Sequence, residues 1–276
     1  MNKISIIGLG WLGLPLAKNL QEKGYEVIGS TTTGEKVKKL EAEGITSVQF
    51  SLVPYPKGLG FQKLFEAEIL VITIPPRSRT QSGERYLEEL KFLKSMLQNT
   101  SVKKLVFVSS TGIYPEKNQA EKYTEEFEMD LSITGNKTLW KAEQLMNQDK
   151  SYELTIVRFG GLMGEERVPG KYFAGKENVE GHSRVNYIHQ DDAVGIITWI
   201  IEKNLWNETF NGVAPIHPLK KEVIEKSALD TGLAPPKSFQ SSAEGENRLI
   251  SSEKIIQTGY SFTYANPLDF SYNLKK

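Results

Sequence analysis

The stretch that decides the fold is Gly8–Gly13, which reads GLGWLG and follows the short, β-branched run Lys3–Ile7. Beyond it, Leu16 and Leu20 recur at helical spacing until Gly24 supplies a stop. The sequence therefore predicts a strand, a glycine-rich turn and a helix, in that order. In this context, three glycines at this spacing are typical of a loop that holds the pyrophosphate of a dinucleotide.

Each position of the turn has a different expected task. Gly8 allows the tight turn, Gly10 lets the backbone approach the pyrophosphate, and Gly13 lets the helix pack closely on the strand. Trp11 and Leu12 complete the site, because the first amides of a helix are free to bind an anion. The alternative is a tight turn with a purely structural role.

The rest of the chain alternates between buried-strand patterns and helical patterns, working outward from the turn. Strands are predicted over Lys3–Ile7, Tyr25–Gly29, Ile45–Phe50, Glu68–Ile74, Lys104–Ser109, Leu154–Arg158 and Thr209–Val213. Helices are predicted over Glu35–Glu43, Glu84–Gln98, Lys137–Asn147, Asp191–Lys203, Leu219–Thr231 and Ser252–Gln257. This order predicts an α/β fold with a doubly wound, mostly parallel Rossmann sheet.

Two segments do not fit the alternation, and they suggest a second domain. Residues 160–184 contain six glycines in a charged stretch that is too long for a simple connection, which makes it a candidate substrate loop. We therefore expect a dinucleotide-binding domain over residues 1–159 plus 186–213. Residues 160–185 plus 214–276 are expected to form a small C-terminal substrate cap.

Composition excludes several classes of protein. The 276 residues include 34 basic and 34 acidic side chains, three histidines and no cysteine, so a disulfide framework and a thiolate site are ruled out. Zero net charge argues against binding nucleic acid or an anionic membrane, and no apolar run is long enough to span a bilayer. The opening residues resemble a secretory leader, but their glycines have phosphate-loop spacing and no cleavage site follows. We expect a cytoplasmic protein.

The end of the second predicted strand bears on the choice of dinucleotide. An NAD site usually offers a carboxylate there for the ribose 2′-hydroxyl, whereas this chain has Ser30, Thr31 and Thr32, with no acid before Glu35. Hydroxyl groups and the nearby Lys36 suit a 2′-phosphate better. The sequence thus favours NADP as cofactor, with NAD possible. In the alternative interpretation, Glu35 is a first-turn acid and the lysine belongs to a solvated helix face.

Three motifs stand out further along the chain: SSTGIYP (residues 109–115), VRFGGLMG (157–164) and NYIHQDDA (186–193). Together they resemble the extended short-chain dehydrogenases, the NAD(P)-dependent epimerase/dehydratase family. Residues 109–115 (SSTGIYP) are similar to that family's serine-rich strand end, and residues 157–164 (VRFGGLMG) and 186–193 (NYIHQDDA) resemble two later segments. Residues 210–213 (FNGV) and 259–262 (GYSF) resemble its closing strand and C-terminal signature. The resemblance covers nearly the whole chain and implies an NAD(P)-binding oxidoreductase or epimerase-like protein.

The chain departs from this family at the site of proton transfer. Members usually carry a Tyr-x-x-x-Lys pair on the helix after the serine strand, but the alignment places Gly135 and Leu139 there. Tyr172 and Lys176 have the right spacing, but they lie in the later loop and are interpreted as coincidence.

Two further departures concern other motifs of the family. The acid pair of family dehydratases corresponds to Thr111 and Gly112, which argues against sugar-nucleotide 4,6-dehydration. The glycine motif is GxGxxG, where family members commonly have GxxGxxG.

Ser110 and Tyr114 remain as candidate catalytic residues, by hydrogen bonding a substrate carbonyl and by displaced acid–base action. Alternatively, Ser110 only closes the strand end and Tyr114 only packs against its neighbours. Further cofactor contacts are assigned to Thr73, Pro75, Ser109 and Phe159. The candidate loop also has basic residues that suit an anionic substrate, namely Arg167, Lys171, Lys176, His182 and Arg184. The alternative is a solvated loop of mixed charge, because Glu165, Glu166, Glu177 and Glu180 are interleaved with them. No metal site is assigned, because Asp191 and Asp192 beside His189 open a helix, where Asp acts as a cap.

Three functional hypotheses follow. The leading one is an atypical enzyme of this family that transfers hydride to or from a small polar molecule. The second is a dinucleotide-binding sensor or regulator that has lost proton-transfer chemistry. The third is a β-hydroxyacid-type dehydrogenase, because the stretch GLGWLGLPLA also resembles the opening of that class. The long helical C-terminal domain of that class is missing here, which argues against this hypothesis. Substrate and oligomeric state stay open.

Overall fold

The computed structural model describes residues 3–76, 82–116, 121–241 and 248–272. In these ranges the strands are β1 (Lys3–Ile7), β2 (Glu26–Thr31), β3 (Ser47–Val53), β4 (Tyr55–Leu59), β5 (Ile69–Ile72), β6 (Lys104–Ser110), β7 (Glu153–Phe159), β8 (Gly161–Met163), β9 (Tyr187–His189) and β10 (Thr209–Gly212). The helices are α1 (Gly13–Glu22), α2 (Gly34–Ala42), α3 (Gly83–Met96), α4 (Lys137–Asn147), α5 (Gln190–Lys203), α6 (Lys220–Thr231) and α7 (Glu253–Gln257).

The main sheet has eight strands in the order β10-β7-β6-β5-β1-β2-β3-β4. Pairing is parallel from β1 to β2, β2 to β3, β1 to β5 and β5 to β6. The order reverses at β1, and in open α/β sheets ligands bind outside the carboxyl ends of the strands at such a point. The predicted doubly wound Rossmann sheet is confirmed.

The predicted strands and helices form, with ends that shift by up to about three residues. Three strands were missed, namely β4, β8 and β9. Of these, β4 pairs antiparallel with β3 at the edge of the main sheet. Its sequence, YPKGL, contains Pro56 and Gly58, which are unfavourable inside a strand but tolerated at an edge. A Cβ atom on Gly58 would lie 1.9 Å from the carbonyl oxygen of Gln49, so only glycine fits there.

The chain forms two compact units. The first comprises Met1–Ile113, Met129–Arg158 and Ile197–Thr209, and the second comprises Tyr114–Glu128, Phe159–Ile196 and Phe210–Lys276. The predicted division put residues 114–128, 186–196 and 210–213 in the dinucleotide-binding domain, whereas they belong to the second compact unit. Which unit binds the dinucleotide and which binds the substrate stays a prediction. The core of the first unit is apolar and continuous across β1, β2, β3, β5, β6 and β7.

The second unit has its own small core, formed by Met163, Val168, Phe270 and Tyr272. The candidate loop is folded: it contains β8 and a short 3-10 helix over Pro169–Tyr172, and β8 pairs in parallel with β9.

Candidate functional site

The glycine turn is held by hydrogen bonds to the end of β2. The amide of Gly8 donates to Oγ of Ser30 at 3.1 Å, and the amide of Leu9 donates to the Ser30 carbonyl at 2.7 Å. Gly8 has a φ of 107°, a conformation that residues with a Cβ atom rarely adopt. The turn therefore forms here because Gly8, after β1, meets the small hydroxyl residue Ser30 near the end of the neighbouring strand β2.

The three glycines have different surroundings. A Cβ atom on Gly13 would lie 2.1 Å from the carbonyl oxygen of Gly8, so the close helix–strand packing expected there is observed. A Cβ atom on Gly10 would have no atom within 4 Å. The backbone at Gly10 therefore faces open space, which is what the approach of a ligand requires.

Thr73 closes the other side of the turn. Its hydroxyl lies 2.7 Å from the carbonyl oxygen of Gly8 and 3.1 Å from that of Ile7. Its amide donates to Ile7 at 3.0 Å. This hydroxyl stabilises the turn in the structure, and its predicted contact with a cofactor stays a prediction.

A cleft of about 550 Å³ opens at the carboxyl ends of β1, β2, β3 and β5. Seven predicted cofactor residues line it, namely Gly8, Gly10, Ser30, Thr31, Thr32, Thr73 and Pro75. Trp11, Leu12 and Gly13 do not. Residues that the prediction left out of the cofactor set also line the cleft: Ile7, Leu9, Lys36, Phe50, Ser51, Leu52, Val53, Ile74, Arg85 and Glu89. The volume is within the range of ligand sites, about 300–1,000 Å³.

Lys36 is the cation closest in sequence to the predicted hydroxyl groups. Thr33 caps α2, accepting a hydrogen bond from the amide of Lys36 at 3.3 Å, and so sets the position of the first turn of the helix. The Nζ atom of Lys36 donates to the carbonyl oxygen of Leu9 at 2.8 Å. Its ammonium group thus lies beside the glycine turn. The run of lysines after Glu35 was the only sequence signal for it.

Helix α3 adds a pair of charges to the cleft. Nε of Arg85 lies 3.4 Å from Oε1 of Glu89, whose residue is only 7% exposed. The charged residues that line the cleft in the described ranges are therefore two cations and one carboxylate. This carboxylate is on α3. No acid follows β2 before Glu35, so the strand end itself, where NAD sites usually carry an acid, has none.

The end of β6 contains a buried polar cluster. Oγ of Ser109 donates to Oε1 of Glu143 at 2.6 Å, and Arg158 binds the same carboxylate, with Nη2 at 2.7 Å and Nε at 3.1 Å. The side chains of Arg158 and Glu143 are only 10% and 3% exposed. The ion pair joins α4 to β7 and fixes the hydroxyl of Ser109. The expected contact of Ser109 with a cofactor stays a prediction.

Ser110 points to a different set of groups. Its Oγ accepts the amide of Gly112 at 3.1 Å, and none of the described residues accepts its proton. Gly135 lies before the first residue of α4, is exposed, and donates its amide to Ile113 at 3.0 Å. Leu139 is buried on the first turn of α4. That Gly135 and Leu139 take the places of the family's tyrosine and lysine stays a prediction.

Tyr114 lies in an aromatic cluster of the second unit. It is fully buried, its hydroxyl bonds the carbonyl oxygen of Thr124 at 3.0 Å and Oδ1 of Asn211 at 2.9 Å, and its ring lies 5.4 Å from that of Tyr123. This geometry favours packing over acid–base catalysis. Phe159 is also buried in this unit. Its ring packs on Gly212, where an added Cβ atom would lie only 2.3 Å from Cδ1 of Phe159.

The candidate loop is held by contacts with residues 217–240 as well as by its own hydrogen bonds. Although desolvation opposes the shift, hydrogen bonds from Ser183 and Lys220 lower the pKa of Glu180 to about 2. Nε2 of His182 lies 2.7 Å from the carbonyl oxygen of Gln240. Tyr172 is 57% exposed.

No metal centre forms in the described ranges. Asp192 accepts the amides of Thr263 and Tyr264 at 2.7 and 2.9 Å, and the hydroxyl of Tyr260 at 3.1 Å, so it serves as an anchor for the chain. No group of three metal-binding side chains occurs within these residues. None of the helices described is both long enough and apolar enough to cross a membrane.

The sheet order and the glycine-lined cleft define a dinucleotide-binding fold of the doubly wound class. Residues 3–126 match the family model of the NAD binding domain of 6-phosphogluconate dehydrogenase. This match supports the resemblance of the opening residues to that class, but it covers less than half of the chain.

The whole chain has a relative of the same length. Protein YeeZ of Escherichia coli (strain K12) is 31% identical, with 97% of this chain and 98% of YeeZ covered. The epimerase family protein SDR39U1 of Homo sapiens is 23% identical over 93% of this chain and 94% of that protein. The chain therefore belongs to the family of YeeZ, and it is also similar to an epimerase family protein.

Solved structures have the same fold. The UDP-glucose 4-epimerase of Thermus thermophilus, in complex with NAD, aligns with a TM-score of 0.75 at 15% identity over 98% of this chain and 97% of that one. A putative NAD-dependent epimerase/dehydratase from Methylobacillus flagellatus aligns with a TM-score of 0.73 at 24% identity, covering 97% and 95%. At these identities the likeness concerns the fold alone.

Proposed function

We propose that this protein is an NADP(H)-dependent enzyme that transfers hydride to or from a small polar molecule in the cytoplasm. The observation that carries the proposal is the cleft around the glycine turn, in which the backbone at Gly10 is open and Lys36 lies beside Leu9. A pyrophosphate needs helix-terminal amides without a covering side chain. The amide of Gly10 itself donates to the carbonyl oxygen of Gly8 at 2.7 Å, so the amides that follow it at the start of α1 would hold the pyrophosphate.

The preference for NADP rests on the charges at the end of β2. Thr32 is exposed at the strand end, and no acid follows until Glu35. A 2′-phosphate would therefore meet hydroxyl groups and the ammonium of Lys36 instead of a carboxylate. Phosphate groups form strong charge-assisted hydrogen bonds with such donors.

Ser110 is proposed to orient the substrate. When bound, the nicotinamide supplies the hydride chemistry. The proton of the Ser110 hydroxyl is available to a substrate oxygen, because its Oγ is held by the amide of Gly112. Proton transfer would use a group other than a Tyr-x-x-x-Lys pair on α4, since Gly135 and Leu139 occupy its aligned positions.

A second candidate function is a dinucleotide-binding sensor. The observation that favours it is the buried cluster of Ser109, Glu143 and Arg158, in which the hydroxyl and both charges are used for structure. A sensor would bind the dinucleotide without consuming it. Incubation of the protein with NADPH and a panel of small carbonyl compounds, followed at about 340 nm, where reduced nicotinamide absorbs, separates the two candidates.

Calorimetry tests the proposal most directly. We expect NADPH to bind the full chain more tightly than NADH. A preference of about tenfold or more for NADH, a difference of about 1.4 kcal/mol, would contradict the cofactor assignment. Failure of both dinucleotides to bind would remove the proposed function.

A further inference from the structure

A buried histidine in the second unit has an unused ring nitrogen. His217 is 7% exposed, and its Nδ1 lies 3.1 Å from the carbonyl oxygen of Val185. A carbonyl only accepts hydrogen bonds, so Nδ1 carries the proton and Nε2 has the lone pair. Nε2 is buried and has no hydrogen-bond partner among the described residues. Such unsatisfied groups are rare in folded proteins and often mark a bound water, ion or ligand.

Arg184 is held against the peptide of the same histidine. Its Nη1 donates to the carbonyl oxygen of His217 at 2.7 Å. The adjacent amide of Val185 donates to Pro218 at 3.0 Å, so the two segments run side by side. The guanidinium group is thus held at the backbone of His217.

Two more basic residues lie on neighbouring segments. The amide of Tyr123 donates to Leu249 at 2.8 Å, and Nδ2 of Asn186 donates to the carbonyl oxygen of Arg248 at 2.6 Å. These contacts bring Lys122 and Arg248 to the same part of the unit as residues 184–186. Four stretches that are distant in sequence therefore contribute one basic residue each.

Among the described residues, the charges that act on His217 are those of Lys122 and Arg184, both positive. Desolvation lowers its pKa, and Lys122 and Arg184 lower it further, against the hydrogen bond to Val185, which raises it. Neither cation forms an ion pair with an acid in the described part of the chain. Both side chains are exposed, so an anion can reach these two cations from solvent, whereas Nε2 of His217 is buried.

We infer that Lys122, Arg184 and His217, with Arg248 alongside, form a subsite for the oxyanion group of a small molecule, a phosphate or a carboxylate. As a statement about substrate this rests on the proposed function, because it makes the polar substrate an anion. When the anion binds, Nε2 of the imidazole takes up a proton from water, keeps it, and donates a hydrogen bond to an oxygen of the ligand. The orphaned nitrogen and both cations are then satisfied together.

The test uses the full chain without any dinucleotide. The chain has three histidines, so substitutions of His182 and His217 to glutamine assign the imidazole signals in an NMR titration. Inorganic phosphate is expected to raise the midpoint of the His217 titration by about one pH unit, and that of His182 far less. Sodium chloride at the same ionic strength should have little effect. A parallel titration with acetate distinguishes the two ligand classes. If the subsite also accepts carboxylates, acetate raises the midpoint of the His217 titration, and if it accepts only phosphate, acetate does not.

Charge substitutions give the second part of the test. Lys122→Gln and Arg184→Gln are each expected to weaken phosphate binding at least about tenfold, because a charge-assisted hydrogen bond is lost. Arg184→Lys should retain most of the binding. The control is Lys237→Gln, which removes an exposed lysine paired with Glu177 in the same unit and should leave binding unchanged.

The absence of a phosphate response in the wild-type protein would overturn the inference, as would equal responses in all the variants. The two proposals fail separately. Because no dinucleotide is present, a negative result here leaves the cofactor site untouched, and a protein that binds no dinucleotide can still show the phosphate response.

Discussion

The carboxyl ends of β1 and β6 belong to the same sheet but use their polar groups in opposite ways. After β1, the backbone at Gly10 faces open space and the ammonium of Lys36 lies in the cleft. At the end of β6, the hydroxyl of Ser109 is bound to Glu143, which Arg158 holds in turn. The first end is organised to receive a ligand, and most of the polar groups at the second are used to stabilise the fold.

This difference shows that a strand end can keep the sequence of a functional motif and use it for structure. The four predictions below test the contrast, beginning with the one for which we expect the largest effect.

The first prediction concerns nucleotide sugars. Turnover of UDP-glucose in the presence of NAD or NADP should be undetectable by chromatography, because the loss of general acid–base help removes about 10²- to 10⁴-fold in rate. The UDP-glucose 4-epimerase of Thermus thermophilus serves as the positive control. Robust turnover would show that a tyrosine–lysine pair reaches the site from elsewhere, such as Tyr172 and Lys176.

The second prediction breaks the buried cluster at β6. Arg158→Met leaves the carboxylate of Glu143 buried without its cation, and the free energy of unfolding should fall by about 3–5 kcal/mol in urea denaturation. Lys91→Met, which opens the exposed pair with Glu88, should change it by less than about 1 kcal/mol. If both variants lose equally little, the cluster is not the structural element that we describe.

The third prediction separates two glycines of the turn. Gly10→Val places a side chain in open space, so folding should be preserved while NADPH affinity falls about 100-fold, or about 2.7 kcal/mol, in calorimetry. Gly13→Val forces a side chain onto the carbonyl of Gly8 and should lower the melting temperature. Unchanged affinity in the Gly10 variant would mean that the dinucleotide binds elsewhere.

The fourth prediction tests the choice of cofactor. Lys36→Gln should weaken NADPH binding about tenfold and NADH binding less, since only NADPH carries the 2′-phosphate. Lys38→Gln, on the same helix but outside the cleft lining, is the control. Equal losses for both dinucleotides would assign Lys36 to the glycine turn, through its bond to Leu9, and not to cofactor selectivity.

By itself, the sequence determined the order of the elements and the place of the glycine turn. These rest on local physics: Gly8 adopts a φ that other residues avoid, and the apolar periods of α1, α4 and β5 each lie within one element. Even the limits of α4 were predicted, because Asn136 caps it and Gln148 leaves the helical conformation. Strand β4 was missed because its stability comes from its neighbour β3.

The tertiary structure alone decided which polar groups are available to a ligand. Lys36 meets Leu9, Ser109 meets Glu143, and Tyr114 meets Asn211 across 27, 34 and 97 residues of chain. No local pattern encodes such partners, since a hydroxyl or an ammonium looks the same in sequence whether it is open or already bound. Its role is set by what the folded chain places within about 3 Å of it.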